Sequence, residues 1–231
     1  MSKFYKTISN YYEKIFPLNL KMKKFLLNSS RGKDILDIAC GSGLMAKALQ
    51  DDGKNVIAID LEQRMVDLTI EKGVIAFNIS MTEIDFDCKF DLIYCVGNSL
   101  PHLDNIDQVR KFFNLAKKHL KEEGILAVQI INFYPFLIKE GNYLGNLPTI
   151  KNDVEFIREY HRSGDKIRFH TILKADEVLE NDEFLLPVTY DIMMEIMKEE
   201  GFDFEFFGNF DEEEFNKEKS ISLILRAWDK R

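Results

Sequence analysis

Between residues 34 and 131, five short apolar runs alternate with stretches of helical periodicity. The runs are 34–39 (DILDIA), 55–59 (NVIAI), 74–79, 90–96 (FDLIYCV) and 125–131. The helical stretches are 44–51, 62–72 and 107–120. Repeated strand-then-helix order leaves few options, because parallel strands need crossover helices and those crossovers are right-handed. An α/β domain built on a parallel sheet follows. In such a sheet, ligands sit outside the carboxyl ends of the strands.

The first run ends on a glycine turn, Cys40-Gly41-Ser42-Gly43, before the first crossover helix. Glycines there let the backbone approach a ligand closely, and the helix start supplies free amides. Gly41 to Ala46 (GSGLMA) satisfies G-x-G-x-x-G/A, and Asp60 closes the second run, where an acid can accept hydrogen bonds from a ribose. These two features alone fit NAD as well as another adenosine cofactor. Asp37 lies inside the first strand, where a dinucleotide site carries apolar residues. A carboxylate beside the glycine loop suits a cationic ligand group such as an ammonium.

At this point the sequence resembles the class I S-adenosylmethionine-dependent methyltransferases. The resemblance rests on DILDIACGSG, on AIDLEQRMV and on FDLIYCVGNSLPHL, and it extends through Gly201-Phe202 to the final strands. GNSLPHL is similar to a small-molecule branch that includes glycine and sarcosine N-methyltransferases. The resemblance implies a Rossmann-like, mostly parallel seven-stranded sheet in the order 3-2-1-4-5-7-6, strand 7 antiparallel and helices on both faces. It implies S-adenosylmethionine as cofactor. Asp37 with Ala39, Cys40, Gly41, Ser42 and Gly43 would hold the methionine part, and Asp60 the ribose. Leu61 and Met65 would flank the adenine, with Ser80 and Met81 nearby, Ser80 standing where relatives carry an acid. Val96, Gly97 and Asn98 would line the cleft. Asn98, His102 and Tyr12 are the candidates for a direct part in catalysis.

Outside this core the pattern changes. Residues 3–16 are aromatic, suit one or two short helices, and supply Tyr5, Tyr11 and Tyr12 as candidate lid residues. Residues 19–29 read as an amphipathic helix, so residues 1–30 form an N-terminal helical lid. Residues 132–148 are rich in Gly, Asn, Pro and aromatics and read as an irregular loop. Residues 154–160 and 166–173 alternate apolar and polar and read as a hairpin, with 184–188 as a third strand. The chain thus divides into a cofactor domain, 1–131 with 189–231, and a small antiparallel β insert, 132–188, acting as a substrate lid. Three arginines, Arg158, Arg162 and Arg168, lie on that hairpin, and one turned inward would bind a carboxylate.

Composition sets the remaining limits. The net charge of −8 lacks the basic surplus of a duplex binder. The position after strand four reads Gly97-Asn98-Ser99-Leu100, without the Asn/Asp-Pro-Pro-aromatic tetrapeptide of nucleic-acid methyltransferases. Three cysteines, Cys40, Cys88 and Cys95, match no zinc spacing, and no metal site is expected. No apolar stretch reaches the ~20 residues of a membrane helix. The reading is a cytoplasmic enzyme acting on a small molecule, with a homodimer through the insert as the partner expectation. An NAD-dependent oxidoreductase and a non-catalytic cofactor-binding module are the rival readings.

Overall fold

The computed structural model describes residues 8, 11–151 and 154–230. Two short helices open it, α1 (Tyr12–Ile15) and α2 (Leu20–Ser29). Tyr5 and most of the 3–10 stretch lie outside the described residues. The central unit then runs β1 (Asp34–Ile38), α3 (Leu44–Asp51), β2 (Asn55–Asp60), α4 (Gln63–Glu71), β3 (Ile75–Asn78), β4 (Phe90–Cys95), α5 (Ile106–His119) and β5 (Leu120–Ile131). After the insert, α7 (Tyr190–Glu199), β10 (Phe202–Phe207) and β11 (Ser222–Asp229) complete it.

The seven strands lie in the order β10-β11-β5-β4-β1-β2-β3. β1 pairs in parallel with β2 and β4, whereas β11 runs antiparallel to β5 and β10. This is the order 3-2-1-4-5-7-6 with an antiparallel last strand. Successive residues of β1 feed opposite layers, as strand pleating requires. Ile35 packs with Phe25, Leu49 and Val66 beneath α2, α3 and α4. Leu36 and Ile38 pack with Phe112, Phe113 and Met193 beneath α5 and α7. Helix starts follow their side chains: Asn105 Oδ1 accepts from Gln108 N at 3.0 Å at the head of α5, and Thr189 caps α7.

The insert is larger and more regular than the sequence pattern indicates. It forms a four-stranded antiparallel sheet, β6 (Tyr143–Lys151), β7 (Glu155–Ser163), β8 (Lys166–Lys174) and β9 (Val178–Leu185), preceded by a single turn of helix, α6 (Tyr134–Leu137). Two expectations are thereby corrected. Residues 143–148 are strand, not irregular loop, with register shifts on both sides of the Gly145–Leu147 stretch. The outer strand occupies Val178–Leu185 rather than 184–188. The inner face of this sheet supplies Leu144, Leu147, Tyr160, Ile167 and Leu185 to the same core as β5 and α5. A smaller cluster joins Ile8 and Ile15 to Phe156 and Leu173, tying the N-terminal segment to the insert. Tyr11 strengthens that tie by donating its hydroxyl to Asp176 Oδ2 at 2.9 Å.

Candidate functional site

The carboxyl ends of β1, β2 and β4 converge on one cavity of about 450 Å3, roofed by the inner face of the insert sheet. That size lies within the usual range for small-ligand pockets. The floor begins with the turn after β1. Ala39 (φ 58), Gly41 (φ 56) and Gly43 (φ 77) all take left-handed backbone. At Gly41 the requirement is also spatial, since an added Cβ would lie 2.6 Å from the Tyr12 hydroxyl. Tyr12 thus lies over the glycine turn, its ring tilted against Phe16 at 5.0 Å, and Phe16 meets Phe156 of the insert edge-on at 5.7 Å.

Asp60 organises the turn from the side. Its Oδ2 accepts from Gly41 N and its Oδ1 from Glu62 N, both at 2.9 Å. A carboxylate has acceptor capacity beyond these two bonds, so Asp60 can still take a ligand hydroxyl. Burial raises its proton affinity, and the two backbone donors oppose that rise. Asp37 lies behind the turn, 2% exposed, with Oδ2 unpartnered. Burial pushes its carboxyl up to about 7. Ser42 Oγ is likewise buried without a partner.

The turn after β4 forms the second wall. Gly97 N donates to Gln129 Oε1 at 2.8 Å. Asn98 adopts φ 70 and its Oδ1 accepts from Ile131 N at 2.9 Å, so its carboxamide oxygen locks β4 to β5. His102 closes a short 3-10 turn and opens onto the cavity. Desolvation lowers its proton affinity, and the carboxylate of Glu183 on β9 counters this in part.

Of the residues singled out in the sequence, Tyr12, Ala39, Gly41, Asp60, Leu61 and Met65 line the cavity, as do Ser80, Met81, Gly97, Asn98 and His102. Asp37, Cys40, Ser42, Gly43 and Val96 stand behind that lining. Cys40 Sγ lies 3.4 Å from Thr69 Oγ1, and Val96 packs on the layer under α2 and α3. The insert covers the cleft, but its lining residues apart from Arg158 were not singled out: Leu147, Phe156, Tyr160, Phe169 and Glu183 face the cavity beside Arg158. Strand alternation carried the available signal, since residues 156, 158 and 160 share one face of β7. Arg162 and Arg168 do not reach the cavity. Arg162 Nη2 donates to Lys139 O at 2.8 Å, and Arg168 pairs with Asp182 at 2.7 and 3.0 Å on the outer face. Among the described residues no acid, histidine and cysteine cluster could hold a metal, and no helix is long and apolar enough to cross a membrane.

Comparison with known proteins agrees with this geometry. Residues 35–124 match the family described as "Methyltransferase domain". The ubiquinone biosynthesis O-methyltransferase of Rickettsia conorii is 31% identical over 122 residues, half of this chain and 40% of the relative. The chain therefore spans about two fifths of the length of that curated relative. Among solved structures, an S-adenosylmethionine-dependent methyltransferase from Clostridium acetobutylicum superposes with a TM-score of 0.82 at 20% identity. That match covers 99% of this chain and 100% of the neighbour. The CcbJ methyltransferase of Streptomyces caelestis gives 0.83 at 16% identity, covering 97% and 96%.

Proposed function

Given that residues 35–124 match a methyltransferase domain and the whole chain has the fold of S-adenosylmethionine-dependent methyltransferases, we propose that this protein methylates a small-molecule amine. The observation that carries the reading is the cavity, closed between the glycine turn and Asp60 on one side and the insert sheet on the other. The residues present fit the cofactor. Asp37 Oδ2 and Ser42 Oγ are buried polar atoms in need of partners behind a turn that only small residues can follow. In this reading the Ala39–Gly43 turn and Asp37 hold the methionine part, and Asp60 accepts from the ribose. Leu61, Met65 and Met81 flank the adenine, with Ser80 at its edge.

Bound S-adenosylmethionine would supply an activated methyl group on a good leaving group. What the chain adds is placement and dryness. Tyr12 and Phe16 cover the cofactor side, and Tyr160 and Phe169, stacked at 5.1 Å, form an apolar ceiling over the acceptor. Asn98 holds the turn after β4 in register. An acceptor amine must shed a proton, and His102, which opens onto the cavity, is the group placed to take it. The amine is favoured over a hydroxyl because Asp60, Glu62 and Glu183 make the lining acidic, and because of the GNSLPHL resemblance. Free thiols at Cys40, Cys88 and Cys95 accord with a reducing cytoplasm.

Calorimetry with S-adenosylhomocysteine, followed by its release from S-adenosylmethionine across a panel of small amines, tests the proposal. Binding and turnover are expected. No binding of S-adenosylhomocysteine, together with stabilisation by NAD, would overturn it in favour of an oxidoreductase.

A further inference from the structure

Arg158 is the only lysine or arginine lining the cavity among the described residues; its other charged walls are Asp60, Glu62 and Glu183. The guanidinium is held at one end, where Nη2 donates to Pro148 O at 2.7 Å. Its Nε is buried with no acceptor. Among the described residues no carboxylate acts on it, and burial lowers its proton affinity. This contrasts with Arg168, which has a carboxylate partner, and with Arg162, which caps three backbone carbonyls. A buried unpaired N–H on a charged group is costly, and proteins seldom leave one without a ligand or water to meet it.

The layout around it is specific. Arg158 lies opposite Thr171, which lies opposite Asn181; Tyr160 lies opposite Phe169, which lies opposite Glu183. Arg158 and Glu183 are therefore two strands and two residues apart, roughly 12 Å between Cα atoms at ordinary strand spacing. The stacked Tyr160–Phe169 pair fills the interval. The roof thus presents a fixed cation at one corner, an apolar platform in the middle, and an acid beside His102 at the other corner. A dianion such as a phosphate would face three carboxylates with one counter-charge, whereas a carboxylate matches a single guanidinium fork.

We propose that Arg158 binds a carboxylate on the methyl acceptor, so that the accepted molecule is an amino acid whose amine lies toward His102 and Glu183. The inference rests on the methyltransferase reading and narrows it. Arg158 Nη1, the guanidinium nitrogen that neither is buried nor donates to Pro148, donates to one carboxylate oxygen, and the acceptor's carbon body lies on Tyr160 and Phe169.

The test uses the full chain saturated with S-adenosylhomocysteine, titrated with α- and β-amino acids and with their primary amides. Wild-type protein should bind at least one acid ten times more tightly than its amide. Arg158→Gln should lose that preference, Arg158→Lys should keep part of it, and both should bind S-adenosylhomocysteine as wild type does. The outer-face variant Arg168→Ala should leave the preference intact. If wild-type protein binds S-adenosylhomocysteine but discriminates no acid from its amide, or if Arg158→Gln retains the preference, the carboxylate assignment is wrong and the methyltransferase reading stands. Failure to bind S-adenosylhomocysteine at all would remove both.

Discussion

Tyr94 stands directly across from Asp37 on adjacent parallel strands, yet neither the phenol oxygen nor Asp37 Oδ2 completes a hydrogen bond. Both belong to the face of β1 and β4 that packs under α3, in a layer otherwise made of Ile35, Leu49 and Leu92. Burial drives the Asp37 carboxyl up to about 7, and the negative charge of Asp60 adds to the rise. A carboxyl that keeps its proton more tightly when folded favours the fold at low pH. Its contribution is complete below its unfolded value near 4 and is lost as the pH climbs through the folded value. In the ligand-free protein, Asp37→Asn should therefore flatten the fall in melting temperature between about pH 4 and pH 7. Thermal unfolding across that range checks this, and an unchanged slope would show that Asp37 is not the group responsible.

Gly41→Ala should weaken S-adenosylhomocysteine binding. The left-handed backbone alone costs a non-glycine residue about 1–2 kcal/mol. The new Cβ would also press on the Tyr12 hydroxyl, 2.6 Å away. Adding Tyr12→Phe should restore the part of the affinity lost to the hydroxyl contact, while the backbone cost and the ring carbons, Cζ at 2.9 Å and Cε1 at 3.0 Å from the new Cβ, remain. Calorimetry on the single and double variants separates the two contributions.

Asp60→Asn should lower S-adenosylhomocysteine affinity by about 1.5–3 kcal/mol, the usual worth of a hydrogen bond to a charged group. An amide has one oxygen where the carboxylate uses two, so either Gly41 N or Glu62 N also loses its acceptor. Melting temperature should fall along with affinity. A dissociation constant equal to that of wild type would refute the ribose assignment.

Ile93→Ala tests the scaffold apart from the site. Ile93 is fully buried in the central strand β4 and packs under α5. Removing its outer carbons should cost about 2–5 kcal/mol in urea unfolding, with S-adenosylhomocysteine affinity nearly preserved at low temperature. A loss under 1 kcal/mol, roughly that of a surface change, would mean that the layer under α5 repacks easily.

The parallel core was legible because β1, β4 and the second half of β5 are continuous apolar runs buried on both faces, and β1, β2 and β4 stop at a glycine turn or an acid. The cofactor side of the site was legible for the same reason, since Gly41, Asp60 and Asn98 all sit where a run stops. The insert resisted reading at its edges. Val178–Leu185 (VLENDEFL) carries four polar residues in sequence and little strand propensity. It is a strand because β8 offers an unpaired edge, and Arg168 and His170 meet Asp182 across it. β6 contains Gly145 and Pro148, which read as loop until β7 supplies the pairing. Glu183 could be placed at the site only once that register was known.

The insert sheet is one layer thick where it covers the cavity, so its inner face serves two masters. Ile167 and Leu185 are committed to the shared core, while Arg158 and Glu183 belong to no core cluster and border the cavity. A lineage changing its acceptor could therefore rewrite the second group without disturbing the first, and could leave Gly41 and Asp60 untouched. In the proposed reading, the cofactor contacts lie before residue 131 and the acceptor's roof within residues 143–185, so the two could diverge at different rates.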